Sequence, residues 1–228
     1  MTVKAIVTDV EGTTSDIDFV HQCLFPYARE RMPAFIAAHG HDPALKPYMA
    51  MIVAETDLAA DDLEGIAERL QHWIDEDLKH TALKAVQGMI WREGFEQEVF
   101  RAHVYPDAVH HLRRWHEAGL PLYVYSSGSI AAQQLYFRHS AAGDLSGLFS
   151  GHYDTTIGGK RQAESYRKIA ADLGMKAGEI LFLSDIEAEL DAASEAGWQT
   201  TQIVREGTLA SARHRQATDF GGVALDPS

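Results

Sequence analysis

The chain has 228 residues, 46% of them hydrophobic and 23% charged. That balance describes a folded domain, alone or with a smaller one inserted, and excludes a disordered chain. A formal charge of −13 argues against nucleic acid and against polyanionic membrane surfaces as partners, because both demand a basic face.

A small phosphorylated substrate stays open, since local cations can reverse a local field. Cys23 is the single cysteine, so an intramolecular disulfide and a multi-cysteine zinc site are excluded. No apolar run has the length of a signal-peptide core or a membrane span. Cytoplasmic residence is the resulting expectation, and no stripe of residues asks for a partner, which leaves a monomer as the default.

The first apolar run, Ala5-Ile6-Val7, reads as a buried strand. It gives way to Asp9-Val10-Glu11-Gly12-Thr13-Thr14. Side chains alternate along an extended chain, so Asp9 and Glu11 can share a face. Two such acids can hold a cation, or one can attack a phosphoryl group while the other handles the proton. Asp before Gly is also ordinary turn chemistry.

The next strand-like segment, Leu122-Tyr123-Val124-Tyr125, lies far beyond the roughly 30 residues that a βαβ unit spans. Between them, residues 17–100 carry helical periodicity, as in Leu63-Ile66-Ala67-Leu70-Trp73-Ile74 and Leu83-Val86-Met89-Ile90. The spacing predicts a helical cap inserted after the first strand, with residues 1–16 and 101–228 forming the core. Val109, Leu112 and Trp115 share one face of a helix over 108–118, stopped by Gly119 and Pro121. His110, His111 and His116 read as surface residues, since adjacent histidines on a helix point apart and no Glu-x-x-His pair accompanies them.

Ser126 and Ser127 follow the second strand directly. Hydroxyls and N–H groups at such a turn can bind phosphate oxygens, aided by the helix dipole. Ser127 or Ser129 can equally serve as a helix cap. Lys160 ends the glycine-containing loop Thr155-Thr156-Ile157-Gly158-Gly159-Lys160, where it can neutralise phosphoryl charge or stand on the surface as most lysines do. A helix over 165–173 follows, closed by Gly174.

The third strand, Ile180-Leu181-Phe182-Leu183, leads through Ser184 to Asp185. Asp185 stands to its strand as Asp9 stands to the first, so the pair suits Mg²⁺, which takes oxygen ligands and keeps several waters. Asp185 is alternatively an N-cap for the helix over 187–196, with Glu189 one turn in. A fourth strand covers Thr200 to Val204. After Gly207 no periodicity is clear, and Arg213-His214-Arg215 reads as a solvated helix face. Strand–helix alternation therefore predicts an α/β fold, a doubly wound Rossmann-like parallel sheet with an inserted helical cap.

Acid, hydroxyl, lysine and acid occur in this order from one end of the chain to the other, three of them directly after predicted strands. The order resembles that of the haloacid dehalogenase (HAD) superfamily of aspartate-based phosphatases. A narrower likeness is to its enolase-phosphatase E1 branch, carried by Asp9-Val10-Glu11-Gly12-Thr13-Thr14, Leu24-Phe25-Pro26-Tyr27, Gln87-Gly88-Met89-Ile90-Trp91, Tyr105-Pro106-Asp107, Tyr125-Ser126-Ser127-Gly128-Ser129, Ile157-Gly158-Gly159-Lys160 and Glu164-Ser165-Tyr166. Glutamate two residues after the nucleophile separates this branch from the commoner Asp-x-Asp phosphatases.

The resemblance implies a Mg²⁺-dependent enzyme of methionine salvage acting on 2,3-diketo-5-methylthiopentyl-1-phosphate, which is enolised and then dephosphorylated. It implies Asp9 as nucleophile, Glu11 as acid and base, and Ser126, Ser127 and Lys160 as substrate contacts. Mg²⁺ would be held by Asp9, Asp185 and Glu11, the last through its side chain or its carbonyl. No residue declares itself as the enolisation base. The alternatives are a phosphatase or phosphomutase for another sugar phosphate, a dehalogenase, which lacks Glu11, and a receiver module, which lacks the insertion.

Overall fold

The structure is a computed structural model describing residues 2–225. Met1 and residues 226–228, the outermost positions of the expected core segments, lie outside the described residues. Six strands form one sheet: β1 (Ala5–Thr8), β2 (Leu122–Tyr125), β3 (Gly151–Tyr153), β4 (Ile180–Ser184), β5 (Gln199–Ile203) and β6 (Arg215–Ala217). All neighbours are parallel, in the order β3-β2-β1-β4-β5-β6. That is the doubly wound order, and its direction reverses between β1 and β4. The α/β class expected from the sequence is the one observed.

β1 and β4 are buried along their whole lengths, as befits central strands covered on both faces. Phe182 from β4 meets Tyr125, Tyr166 and Trp198 at ring-centroid distances of 6.4, 5.2 and 6.4 Å. Tyr166 belongs to α8 (Ala163–Leu173), which closes on Gly174 in the left-handed conformation (φ 63°). Leu190, Ala192 and Ala193 of α9 (Glu187–Glu195) complete this apolar cluster. Helix α6 (Pro106–Glu117) opens on proline, where the missing N–H costs nothing, and packs against β2. Helix α7 (Ile130–Arg138) is capped by Ser129, whose hydroxyl accepts from the Ala132 N–H at 3.3 Å.

The chain divides into two compact units, one running to Ile17 and resuming at Arg101, the other comprising Asp18–Phe100. The second is helical: α1 (Ile17–Phe19), at the boundary, runs through a short π-helix (Val20–Leu24) into α2 (Phe25–His39), followed by α3 (Lys46–Ala54), α4 (Leu63–Asp75) and α5 (Thr81–Glu96). Its core gathers Met32, Ile36, Ile52, Ile66, Leu70 and Val86. Pro33 stands inside α2 and lacks the N–H that would bond the Arg29 carbonyl. The Gln71 side chain of α4 donates to that carbonyl at 2.8 Å instead, so a helix-breaking residue is tolerated through a tertiary contact.

One expectation and one alternative are corrected by the fold. Arg213-His214-Arg215 is not a helix face: Arg215 begins β6, and His214 is tucked between Thr200 and Asp191 at 2.9 and 3.0 Å. Asp185 is not a helix cap, because α9 starts beyond Ile186, whose N–H bonds the Ser184 hydroxyl at 3.1 Å. The strands β3 and β6 carry no expectation from the sequence; each has three residues and sits at a sheet edge, too short to show a period.

Phe182→Ala should lower the free energy of unfolding by about 3–5 kcal/mol, measured by urea denaturation. A loss under about 1 kcal/mol would contradict the packing described.

Candidate active site

The ladder between β1 and β4 continues one step past the strand, where the Asp9 N–H donates to the Leu183 carbonyl at 2.8 Å. Asp9 and Asp185 thus leave neighbouring strands at the point where the winding reverses, the usual ligand crevice of such sheets. The carboxyl of Asp185 accepts from the Thr13 hydroxyl at 3.1 Å, and its N–H donates to the same hydroxyl oxygen at 3.0 Å. Gly12 makes this approach sterically feasible. Its φ is +79°, and a Cβ there would stand 2.5 Å from Asp185 Oδ2.

Lys160 is 7% exposed and makes two ion pairs, with Asp9 Oδ1 at 2.6 Å and Glu189 Oε2 at 2.7 Å. A buried ammonium needs such company. The loop before it is fixed through its carbonyls: Tyr125 Oη donates to Gly158 (2.9 Å), Ser165 Oγ to Gly159 (2.8 Å) and Tyr166 Oη to Lys160 (2.7 Å). Gly158, at φ +146°, has Ser165 Oγ where a Cβ would be, so the close approach of loop and helix depends on glycine.

Glu11 turns toward the β2 end. Its Oε2 accepts from the Ser126 hydroxyl at 3.0 Å, and Ser126 Oγ accepts from the Gly128 N–H at 3.1 Å. Ser126 is buried, whereas Ser127 is exposed in the turn that follows. Asp154, just past β3, accepts from the Ile130 N–H at 3.1 Å and from Thr156 at 2.9 and 2.6 Å, joining the start of α7 to the loop that leads to Lys160.

The electrostatics are those of a buried cluster with more acids than cations. Burial pushes the Asp9 carboxyl well up; Lys160 opposes that, while Glu189, Glu11 and Asp185 reinforce it. Asp185 is also raised, chiefly by burial. Lys160 is held protonated: burial alone would lower its pKa, but Asp9 and Glu189 raise it further than burial lowers it. Four carboxylates around one ammonium leave room for a further positive charge. Among the described residues, no three carboxylate, imidazole or thiol side chains converge to hold a metal. An ion here would rest on two carboxylates, main-chain oxygen and water, and that donor set fits Mg²⁺.

Glu189 belongs to this cluster although the sequence suggested only a dipole-friendly acid. It is 8% exposed and also accepts from Ser184 Oγ at 2.9 Å. Its spacing offered a signal: one helical turn past Asp185, a side chain returns to the side from which the helix starts.

A sequence model of the haloacid dehalogenase-like hydrolases matches residues 3–197. Relatives named enolase-phosphatase E1 include one from Erwinia tasmaniensis, 52% identical over 96% of this chain and 95% of its own length. Another, from Methylococcus capsulatus, is 51% identical over 97% of both chains. Among solved structures, the UTR4 protein of Saccharomyces cerevisiae superposes with a TM-score of 0.83 at 29% identity, over 97% of this chain and all of that one. A dehalogenase crystal structure shares the fold, at a TM-score of 0.59 and 18% identity over 96% of this chain and 94% of that one. The chain belongs to the haloacid dehalogenase-like hydrolases and, within them, to the enolase-phosphatase E1 family.

Lys160→Met strands Asp9 and Glu189 without their cation. It should destabilise the protein by about 3–5 kcal/mol near neutral pH. Chemical denaturation at several pH values should show the deficit shrinking in acid, as Asp9, already raised by burial and now without Lys160, takes up a proton. A deficit independent of pH would count against the ion-pair cluster.

Proposed function

We propose that this chain is an acireductone synthase of methionine salvage. It converts 2,3-diketo-5-methylthiopentyl-1-phosphate, by enolisation and dephosphorylation, to 1,2-dihydroxy-3-keto-5-methylthiopentene and phosphate. Family membership across almost the whole chain supports the reaction. The observation that carries the chemistry is the Asp9–Lys160 pair at 2.6 Å, set beside Asp185 and opposite the Ser126–Glu11 hydrogen bond. In this reading the helical unit Asp18–Phe100, inserted directly after the turn that carries Asp9, serves as the cap.

Asp9 is the nucleophile. One carboxylate oxygen forms a bond to phosphorus as the bond to the substrate's ester oxygen breaks, giving an aspartyl phosphate and an alkoxide that needs a proton. Glu11 supplies that proton and then accepts one from the water that hydrolyses the aspartyl phosphate, so the enzyme returns to its starting state. The Ser126 hydroxyl orients Glu11 before substrate arrives and is free to rotate toward a phosphate oxygen afterwards. Lys160 and the N–H of Ser127 stabilise the oxygens of the transferring group.

Asp9, Asp185 and the Glu11 main-chain carbonyl are the groups that would hold Mg²⁺. When bound, it would supply counter-charge to the phosphoryl oxygens and polarise the diketone for enolisation. The turn of Glu11 toward Ser126 supports a carbonyl contact to the ion in preference to a carboxylate one.

Asp9→Asn should abolish phosphate release from the diketone phosphate while enol absorbance still develops. Faster turnover of a plain sugar phosphate than of the diketone, by the wild-type enzyme, would sink the substrate assignment.

Proton linkage gives a second check. Asp9 and Asp185 both have carboxyl pKa values raised by burial. Their contribution to stability is therefore complete below the ordinary carboxylate range and is lost as pH rises through the folded-state values. Mg²⁺ favours the ionised forms. The rise in Tm that it produces should be larger at about pH 8 than at about pH 5. An equal rise at both would show that these carboxylates do not bind it.

A further inference from the structure

Arg205, just past β5, bonds none of the groups placed in the chemistry, yet its guanidinium donates four hydrogen bonds. Nη1 and Nη2 grip Asp107 at 3.0 and 2.9 Å, while Nε and Nη2 donate to the Thr13 carbonyl at 3.3 and 3.1 Å. Its Cζ lies over the Tyr105 ring, 4.0 Å from the centroid, and 5.7 Å from that of Phe220. Asp107 is itself held, accepting from the Phe220 N–H at 2.9 Å. Tyr105 returns to the same turn, donating its N–H to the Thr14 carbonyl at 2.9 Å.

The grip matters because of where Thr13 points. Its carbonyl faces Arg205, and its hydroxyl bonds both the N–H and the carboxyl of Asp185. One residue thus links the guanidinium to the acid at the end of β4. A second tie runs from the same strand, since Gln202 in β5 is fully buried and donates to the Asp185 carbonyl at 2.9 Å. The turns after β1 and β4 are therefore both held from β5.

We propose that Arg205 is a positioning residue for the divalent-cation site: through Thr13 it sets the orientation of the Asp185 carboxylate relative to Asp9. The inference rests on the reading of Asp9 and Asp185 as the carboxylates that receive Mg²⁺. A guanidinium suits the task where an ammonium would not, because its planar fork serves a carboxylate and a carbonyl at once.

The test is calorimetric titration of the metal-free, full-length protein with Mg²⁺. Arg205→Met should weaken Mg²⁺ binding about tenfold or more, the usual scale for losing an outer-shell partner. Thr13→Val should do the same, and the double variant should bind no more weakly than the weaker single variant, because both changes cut one chain of contacts. Asp107→Asn, which keeps the bonds from Arg205 to Thr13, should lower Tm but leave Mg²⁺ affinity within about twofold of wild type. If Arg205→Met does not fold, Arg205→Lys, which keeps the charge but loses the fork, takes its place with the same expected weakening.

Wild-type affinity in the Arg205 variant would overturn the proposal. So would losses from Thr13→Val and Arg205→Met that multiply in the double variant, or an Asp107→Asn effect as large as that of Arg205→Met. Equal Mg²⁺ binding by wild type and Asp185→Asn would instead overturn the site reading beneath it, a result distinct from the others.

Discussion

Lys160 holds together a group of side chains that would otherwise repel one another. Its ammonium sits 2.6 Å from Asp9 and 2.7 Å from Glu189, in surroundings from which water is largely excluded. Burying any of these charges without a counter-charge beside it would be costly. One acid stands at the end of β1, the other in the first turn of α9, and the cation comes from a third segment. The ion-pair cluster therefore exists only once the sheet has closed, and it in turn fixes how those segments face each other.

The sheet supplies that convergence by topology. Because the winding reverses between β1 and β4, the loops beyond them diverge to opposite faces and leave a crevice at their carboxyl ends. β2 and β3 bring Ser126 and Asp154 to the same edge, and α8 anchors the Lys160 loop through Ser165 and Tyr166. Glycine is required where main chain must pass within a Cβ's radius of a functional group, at Gly12 against Asp185 and at Gly158 against Ser165. Rigid strands, short turns and buried carbonyl hydrogen bonds pre-organise the charges before any ligand arrives. Electrostatic catalysis depends on that kind of order.

Excess negative charge gives the crevice its chemical character. A phosphate ester brought there would meet carboxylates as well as Lys160, and repulsion would oppose binding unless another cation shared the site. In the proposed reading that cation is a divalent ion at Asp9 and Asp185, whose carboxyl pKa values burial raises. Glu11 turns away toward Ser126, which donates its hydroxyl to it, and in the proposed reading it is the acid and base. Thus two acids separated by one residue are directed to different partners, one by Lys160 and the other by a serine hydroxyl.

Much of this architecture was legible in the chain itself. Short β-branched or apolar runs ending in Asp9, Ser126 and Asp185 marked the strands and their carboxyl ends, since a buried strand must be apolar and its exit must turn. Periodicity in residues 17–100 revealed helices, because an amphipathic face repeats every turn. The edge strands β3 and β6 carry no sequence signal because three residues show no period, and the burial of His214 has none because its partners, Thr200 and Asp191, are distant in sequence. Glu189 carries a faint local signal, one helical turn past Asp185, whereas Thr13 and Arg205 are brought to the site only by folding. Local sequence determines which segments bury themselves and where they end; which charges meet depends on contacts between residues far apart in the chain, and no local pattern encodes those.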